Sequence, residues 1–421
     1  MEHREKLKSL KKIKIFSITI LLVIILFPRP LKATYQEKIA YTNYILVNRD
    51  TKQILLENEA DEKVAIASLT KIMTVVIALE NNPDLNRKIT ITAKMLKGLK
   101  EADASIVGFK VGDSLTVLDL IYGALLPSGA DATRALALSI SDSEEEFSVL
   151  MNEKAAELGM INTFYKNSSG LDVKGQYSSA YDQMLLLEYA LNNNEFVKAF
   201  TAINYKTTND LKLESSFRRY LKRYEVTAPI ISGAKTGYTD DAGVCLASYV
   251  DLQGDHLIFI GLGNMSSLSK ARKFSDDIKI YNYYTENYGL MTLYNKEDIL
   301  FIFKPFYTVK KEVNIYFPED FLHYLPKDYL ESDISLNITN EERVDYNTKS
   351  GAVIAEYDIL YQDKVIHSGT VELSEQLKTN LILRGLEFSE NNQILTVSCL
   401  FGLDIVLIVI FIFNRKRKRF E

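Results

Sequence analysis

Cysteine and histidine are scarce, with two and four copies in 421 residues. His3 falls in a basic leader and Cys399 in an apolar tail. No Cys/His cluster is left that could build a zinc site, which argues against a zinc peptidase with several His ligands. Nor is there a usable cysteine pair, so an exported chain of this composition relies on packing rather than disulfides. Internal repeats and low-complexity linkers are also missing. Basic charge is short in the body of the chain. The formal net charge is −5, but residues 1–33 hold 8 basic and 2 acidic residues and residues 414–421 hold 5 and 1. The stretch between them carries 37 basic against 52 acidic residues, a net of −15. A body that acidic argues against a nucleic-acid or anionic-lipid partner for the central domains. What is present is globular: 47% hydrophobic and 25% charged residues, close to the average for folded domains, in a length that suits two or three of them.

Both ends of the chain read as targeting signals. Lys6-Leu7-Lys8-Ser9-Leu10-Lys11-Lys12-Ile13-Lys14 precedes an apolar run, Ile15–Phe27, which Pro28 and Pro30 break before Leu31-Lys32-Ala33. That is a basic n-region, an h-region and a cleavage site after Ala33; the short run and the prolines disfavour an uncleaved anchor. At the other end, Ile394–Phe413 is apolar over 20 residues apart from Asp404, and Arg415-Lys416-Arg417-Lys418-Arg419 follows. The stretch is long enough to span a bilayer, and its basic flank belongs on the cytoplasmic side. Asp404 costs about 2.5–3.5 kcal/mol at a helix centre, which a single anchor this apolar tolerates. The expected organisation is a signal peptide over 1–33, a catalytic unit over 34–290, a β-rich domain over 291–393, a membrane anchor over 394–413 and a cytoplasmic tail over 414–421. The body would then be exported and tethered by its C-terminus outside the cytoplasm.

Between the signals, Tyr44–Asn48 and Gln53–Glu57 flank a turn and predict a hairpin. Leu69–Glu80 has helical periodicity, with Ser68 at the expected N-cap and Asn81-Asn82-Pro83 as a stop. Further helices are predicted at Leu115–Leu126, Asp131–Ile140, Glu144–Gly159 and Tyr181–Asn192, and strands at Ala242–Val250 and His256–Gly261. Strand, helices, strands suggests a sheet whose edge pieces come from distant parts of the chain. After Leu290 short β-type runs take over, at Ile299–Phe303, Glu312–Phe317, Ser335–Ile338, Val353–Tyr361 and Val365–Leu373, with no comparable long amphipathic helix before the anchor.

The chemistry starts at Ser68-Leu69-Thr70-Lys71. At i, i+3 on a helix a hydroxyl and an amine face the same way, and a lysine held neutral can activate a serine. The spacing alone says little, because Ser-x-x-Lys also occurs at Ser9, Ser232 and Ser267. Lys235-Thr236-Gly237, in contrast, occurs once and leads into a strand pattern. Its cation and hydroxyl could hold a carboxylate, and its glycine lets a ligand backbone lie close. Between the two lies the polar turn Pro127-Ser128-Gly129-Ala130-Asp131; taken singly, these are also ordinary turn and cap sequences.

In that order the three elements form the motif set of penicillin-binding proteins and class A β-lactamases. The chain resembles the low-molecular-mass D-alanyl-D-alanine carboxypeptidases, serine peptidases that trim peptidoglycan stem peptides. The likeness runs through Ala65–Thr74, Val111–Leu120, Glu157–Met160 with Ser169–Asp172, and Lys235–Gly243. It implies an α/β (α+β) transpeptidase-like domain, followed by the β-rich domain and the transmembrane helix. It further implies that Ser68 is acylated, that Lys71 is its general base, and that Ser128 passes a proton toward the leaving D-alanine nitrogen. Lys235 and Thr236 would bind the terminal carboxylate, with Gly237 beside them. The N–H groups of Ser68 and Tyr238 would form the oxyanion hole. Arg272, in Lys270–Asp276, matches a residue that steers the carboxylate, although a solvated helix face explains it equally well. The implied partners are stem peptides ending in D-Ala-D-Ala and β-lactams, with no metal and no cofactor.

Two departures stand out. The family's middle motif reads Ser-Gly-Asn, and position 130 here is Ala; doing without that side-chain amide costs about 1–3 kcal/mol. The segments Asn162–Ser169 and Gln176–Ser179 lack the His residues common there. Two other readings are a β-lactamase, with the same nucleophile and fast deacylation, and a catalytically weak peptidoglycan-binding scaffold, which Ala130 motivates.

Overall fold

The turn expected near residue 50 closes a hairpin between β1 (Asn43–Asn48) and β2 (Ile54–Asn58). Asn48 Oδ1 accepts from the N–H groups of Asp50 and Thr51 at 3.1 and 3.0 Å, the local bonding that makes Asn a turn residue. The computed structural model describes residues 35, 37–252, 254–264 and 270–391. The expected leader, anchor and tail lie outside them. Among the described residues no helix is long and apolar enough to cross a membrane. The chain divides into two units between Glu286 and Asn287.

In the first unit the hairpin joins strands from far along the chain. β3 (Gly233–Thr239), β4 (Gly243–Leu252) and β5 (Asp255–Asn264) complete an antiparallel sheet in the order β2-β1-β5-β4-β3. Lys235-Thr236-Gly237 therefore lies on the edge strand of the sheet. Gly237 pairs with Cys245 of β4. That thiol is fully buried, and burial pushes it up to about 12.

One face of the sheet carries the helices. In α1 (Thr70–Asn81) nine consecutive residues, Thr70 to Ala78, are buried, the mark of a helix surrounded on all sides. Around it pack α2 (Val117–Leu125), α3 (Ala130–Leu138), α4 (Glu144–Glu157) and α5 (Ala180–Ala190), and α5 also lies on β1 and β5. Ile45, Val47, Ile258 and Ile260 join these helices in one core. Three short helices were not evident in the sequence: Ala93–Leu96, α6 (Asn194–Thr201) and α7 (Ser216–Arg223). On the opposite face lies α8 (Lys270–Asn287). Its Tyr281 hydroxyl is 2.9 Å from Ser248 Oγ, its Tyr281 ring meets Phe259 edge-on, and Tyr284 donates to the Leu55 carbonyl at 2.8 Å.

Beneath α8 the carboxyl of Asp277 is fully buried, and neither oxygen has a hydrogen-bond partner of good geometry. Burial, then the neighbouring Asp276, pushes it well above the usual carboxylate range. Unfolded, the group ionises near pH 4. Its neutral form is thus favoured by the fold, and stability present below about pH 4 is lost as pH rises toward the folded value. Asp277→Asn is expected to raise Tm at pH 8, by about 2–4 °C per kcal/mol recovered, with the gain shrinking toward pH 4. Thermal melts across that range check it. An equal gain at every pH would count against the protonated state.

In the second unit two strands stand where alternation put them, Ile299–Phe303 and Val353–Tyr361. Val313–Tyr316, Ile334–Thr339 and Lys364–Glu372 shift by a residue or two from expectation. Tyr288–Tyr294 and Phe321–Pro326 pair with each other and were not expected. The first runs across the predicted 290/291 boundary. Six of its seven residues are half-buried whichever way they point, so no alternation marks it. An 11-residue helix, Leu381–Asn391, was not among the elements expected in the β-rich domain. Its Leu381 and Ile382 are 87% and 77% exposed, so it has no buried stripe of the kind that signals a packed helix.

Candidate active site

The chain enters α1 through a single turn, Ala67–Leu69. Leu69 is the N-cap and no side chain caps the helix, which corrects the expectation for Ser68. The Ser68 hydroxyl instead accepts from Lys71 Nζ at 2.8 Å. Ala67, directly before it, has φ +47°, a left-handed conformation that costs a residue with a Cβ and that clusters at functional sites. Lys71 is buried and donates also to the Ser169 carbonyl. Burial pushes its amine down to about 7, against the opposing pull of the Asp131 carboxylate. An amine in that range is substantially neutral near pH 7 and can take a proton.

A second amine–hydroxyl pair lies alongside. Ser128, in the turn between α2 and α3, has φ +67°, and its Oγ accepts from Lys235 Nζ at 2.8 Å. Lys235 is fully buried; burial, then the Lys71 cation, holds it well below the usual lysine range. Thr236 Oγ1 lies 2.9 Å from Ser216 Oγ at the start of α7. Gly237 faces the nucleophile turn: a Cβ there would stand 3.0 Å from the Ser68 nitrogen and 3.1 Å from Ala67 Cβ. Only glycine leaves that N–H clear.

Ser68, Lys71, Ala130, Ser169, Gly170 and Tyr238 share the wall of a cavity of about 330 Å3. A larger one, about 700 Å3, beside Leu96, Leu99, Ile106 and Phe109, is reached by Asp131 alone of the motif residues. Position 130 thus faces the cavity with a methyl group. Its neighbour Asp131 accepts from the N–H groups of Val107, Gly108 and Phe109 at 2.9, 2.9 and 3.2 Å. It thereby pins a loop whose earlier residues, Ala102–Ser105, form another part of the cavity wall. Arg272 lies in α8, and its side chain is outside the described residues. Sequence reasoning brought together Ser68, Lys71, Ser128 and Lys235 but missed Asp131 and the turn Asn167–Gly170. The Asn-Ser-Ser-Gly composition of that turn was its available signal.

The fold is that of the penicillin-binding proteins. Penicillin binding protein 5 from Haemophilus influenzae superposes with a TM-score of 0.67 at 23% identity, over 82% of this chain and 100% of that one. The chain belongs to the D-alanyl-D-alanine carboxypeptidase family of hydrolases, whose model matches residues 31–266. The carboxypeptidase DacF of Bacillus subtilis is 35% identical over 208 residues, 48% of this chain and about half, 52%, of that protein. DacC of Escherichia coli is 29% identical over 356 residues, 80% of this chain and 84% of that one. A mutant DD-transpeptidase from Streptomyces matches at 29% identity with a TM-score of 0.53, over 59% of this chain and 98% of that one.

Proposed function

We propose that the chain is a penicillin-sensitive, serine-type D-alanyl-D-alanine carboxypeptidase that works through an acyl-enzyme on Ser68. The observation that carries this reading is the 2.8 Å contact between Ser68 Oγ and a buried Lys71 whose amine lies near 7. Lys71 takes the Ser68 proton as Oγ attacks the carbonyl of the penultimate D-alanine. The N–H groups of Ser68 and Tyr238 hold the developing oxyanion. Ser128, bonded to Lys235, relays the proton taken up by Lys71 to the leaving nitrogen and keeps its own hydroxyl, so the amide bond breaks as the ester forms. Lys235 and Thr236 receive the terminal carboxylate, and the edge strand β3 receives the substrate backbone. Water then attacks the ester and frees Ser68. Arg272 is the candidate for steering the carboxylate from α8. The basic leader and the apolar stretch 394–413 support export and a C-terminal membrane anchor, with stem peptides met on the outer side.

The test is a fluorescent penicillin on the purified ectodomain, with release of D-alanine from a D-Ala-D-Ala peptide measured in parallel. A stable adduct with D-alanine release is expected. Rapid loss of the adduct would make the protein a β-lactamase, and no adduct would leave a binding scaffold.

A further inference from the structure

Lys71 must be aimed at Ser68 by something, and the cavity wall at position 130 supplies only a methyl group. The second acceptor of its amine is the Ser169 carbonyl. That carbonyl belongs to a turn tied down from three sides. From within, Asn167 Oδ1 accepts from the N–H groups of Gly170 and Ser169 at 2.7 and 3.1 Å, and Asn167 Nδ2 donates to the Leu171 carbonyl at 2.9 Å. From α4, Glu144 Oε1 accepts from Ser168 Oγ at 2.6 Å, while Arg134 Nε of α3 lies 2.7 Å from the other oxygen of Glu144. From α1, Thr74 Oγ1 donates to the Ser168 carbonyl at 2.7 Å, one turn beyond Lys71. The turn also abuts the nucleophile, since a Cβ on Gly170 would stand 1.9 Å from the Ala67 carbonyl oxygen.

We propose that the Asn167–Gly170 turn, shaped by the Asn167 side chain and anchored by Glu144, is the device that aims Lys71 at Ser68 in the absence of a polar side chain at position 130. Asn167 and Glu144 are then positioning residues: neither touches the reacting atoms, and both act through the Ser169 carbonyl. A dipole held by these hydrogen bonds fixes one amine hydrogen and keeps Nζ 2.8 Å from Ser68 Oγ, the atom whose proton the neutral amine takes. Preorganisation of this kind lowers the barrier because nothing has to reorient during proton transfer. The inference rests on Lys71 being the base for Ser68.

The discriminating experiment is the pH dependence of acylation by the fluorescent penicillin in the parent protein and in Asn167→Asp. The parent is expected to show an acid limb near pH 7, set by Lys71 together with its charged neighbours Asp131 of α3 and Lys235 of β3. Aspartate keeps the acceptor for the Ser169 and Gly170 N–H groups, gives up the Nδ2 donor to the Leu171 carbonyl, and adds a negative charge to the turn that bonds the amine, which favours the ammonium form. The limb should therefore move up by about one pH unit, with the alkaline plateau within about threefold of the parent. A role in folding alone would lower Tm and leave the acylation rate of the folded Ser168→Ala protein, which adds no charge, at the parent value. An unmoved limb in a labelled, folded Asn167→Asp protein would overturn the inference and spare the functional reading; no labelling of the parent would overturn both. Should Asn167→Asp not fold, Ser168→Ala removes only the hydroxyl bonded to Glu144. It is expected to slow acylation about three- to tenfold with penicillin affinity unchanged, and an unchanged rate would sink the proposal.

Discussion

A Ser68→Ala protein is expected to melt where its parent does, to carry no penicilloyl adduct by intact-mass spectrometry, and to release D-alanine at least about 10^4-fold more slowly. The stability half of the expectation follows from what the hydroxyl does in the resting structure. It caps no helix and accepts one hydrogen bond from an amine that has a second partner in the Ser169 carbonyl. The kinetic half follows from the site having one hydroxyl beside an amine near 7. The Ser128 hydroxyl is the only rival that the geometry offers among the described motif residues, since it too accepts from a buried lysine amine. An adduct on Ser128 in the Ser68→Ala protein would exchange the roles of the two pairs.

The second large effect belongs to a residue with no functional group. At Gly170 φ is +81°, and a Cβ would lie 1.9 Å from the Ala67 carbonyl oxygen, 2.5 Å from its carbon and 2.9 Å from Thr70 Oγ1. Two of those three atoms are backbone and cannot swing aside. Gly170→Ala must therefore move either the Asn167–Gly170 turn or the turn that carries Ser68, and the left-handed φ adds its own cost. Acylation is expected to fall about 100-fold, the scale on which a shift of about 1 Å in a reacting group acts. Tm should fall with it, as for other changes forced on a special backbone position. Stopped-flow acylation and a thermal melt on the same preparation check both. Parent-like values in each would mean that the two turns do not touch.

Much of this site was legible because its residues come as short runs whose spacing is itself the geometry. Ser68 and Lys71 are one helical turn apart, and Lys235 and Gly237 are alternate residues of one strand. The hairpin and α1 were legible for a related reason, since turn residues and apolar periodicity lie within a dozen positions. The bond from Lys235 to Ser128 spans 107 residues and the one from Lys71 to Ser169 spans 98. No local pattern encodes such contacts; the resemblance put Lys235 and Ser128 in one site with separate roles and gave no bond between them, and Ser169 was given no role at all. Ser68 as N-cap shows the opposite failure. A serine before an apolar periodic run is the standard helix-start signal, yet here the hydroxyl is taken by a side chain rather than by the backbone. Asp131 read as a helix start and stands one residue inside it, in the first turn of α3, but its three bonds to Val107, Gly108 and Phe109 depend on a loop that sequence places nowhere in particular.

Cys245 has a practical consequence for spectroscopy. With its thiol pushed up by burial to about 12, Cys245 stays a thiol at pH 7, and full burial bars reagents from the sulfur. The other cysteine, Cys399, lies within 394–421 and leaves with that segment. A maleimide dye added to such a truncated protein would find no competing target, so a cysteine placed at an exposed position such as Val149, which is 56% exposed on α4, becomes a unique attachment point. Single-site reporters of cavity opening can then be built without first mutating the strand that pairs with Lys235 and Gly237.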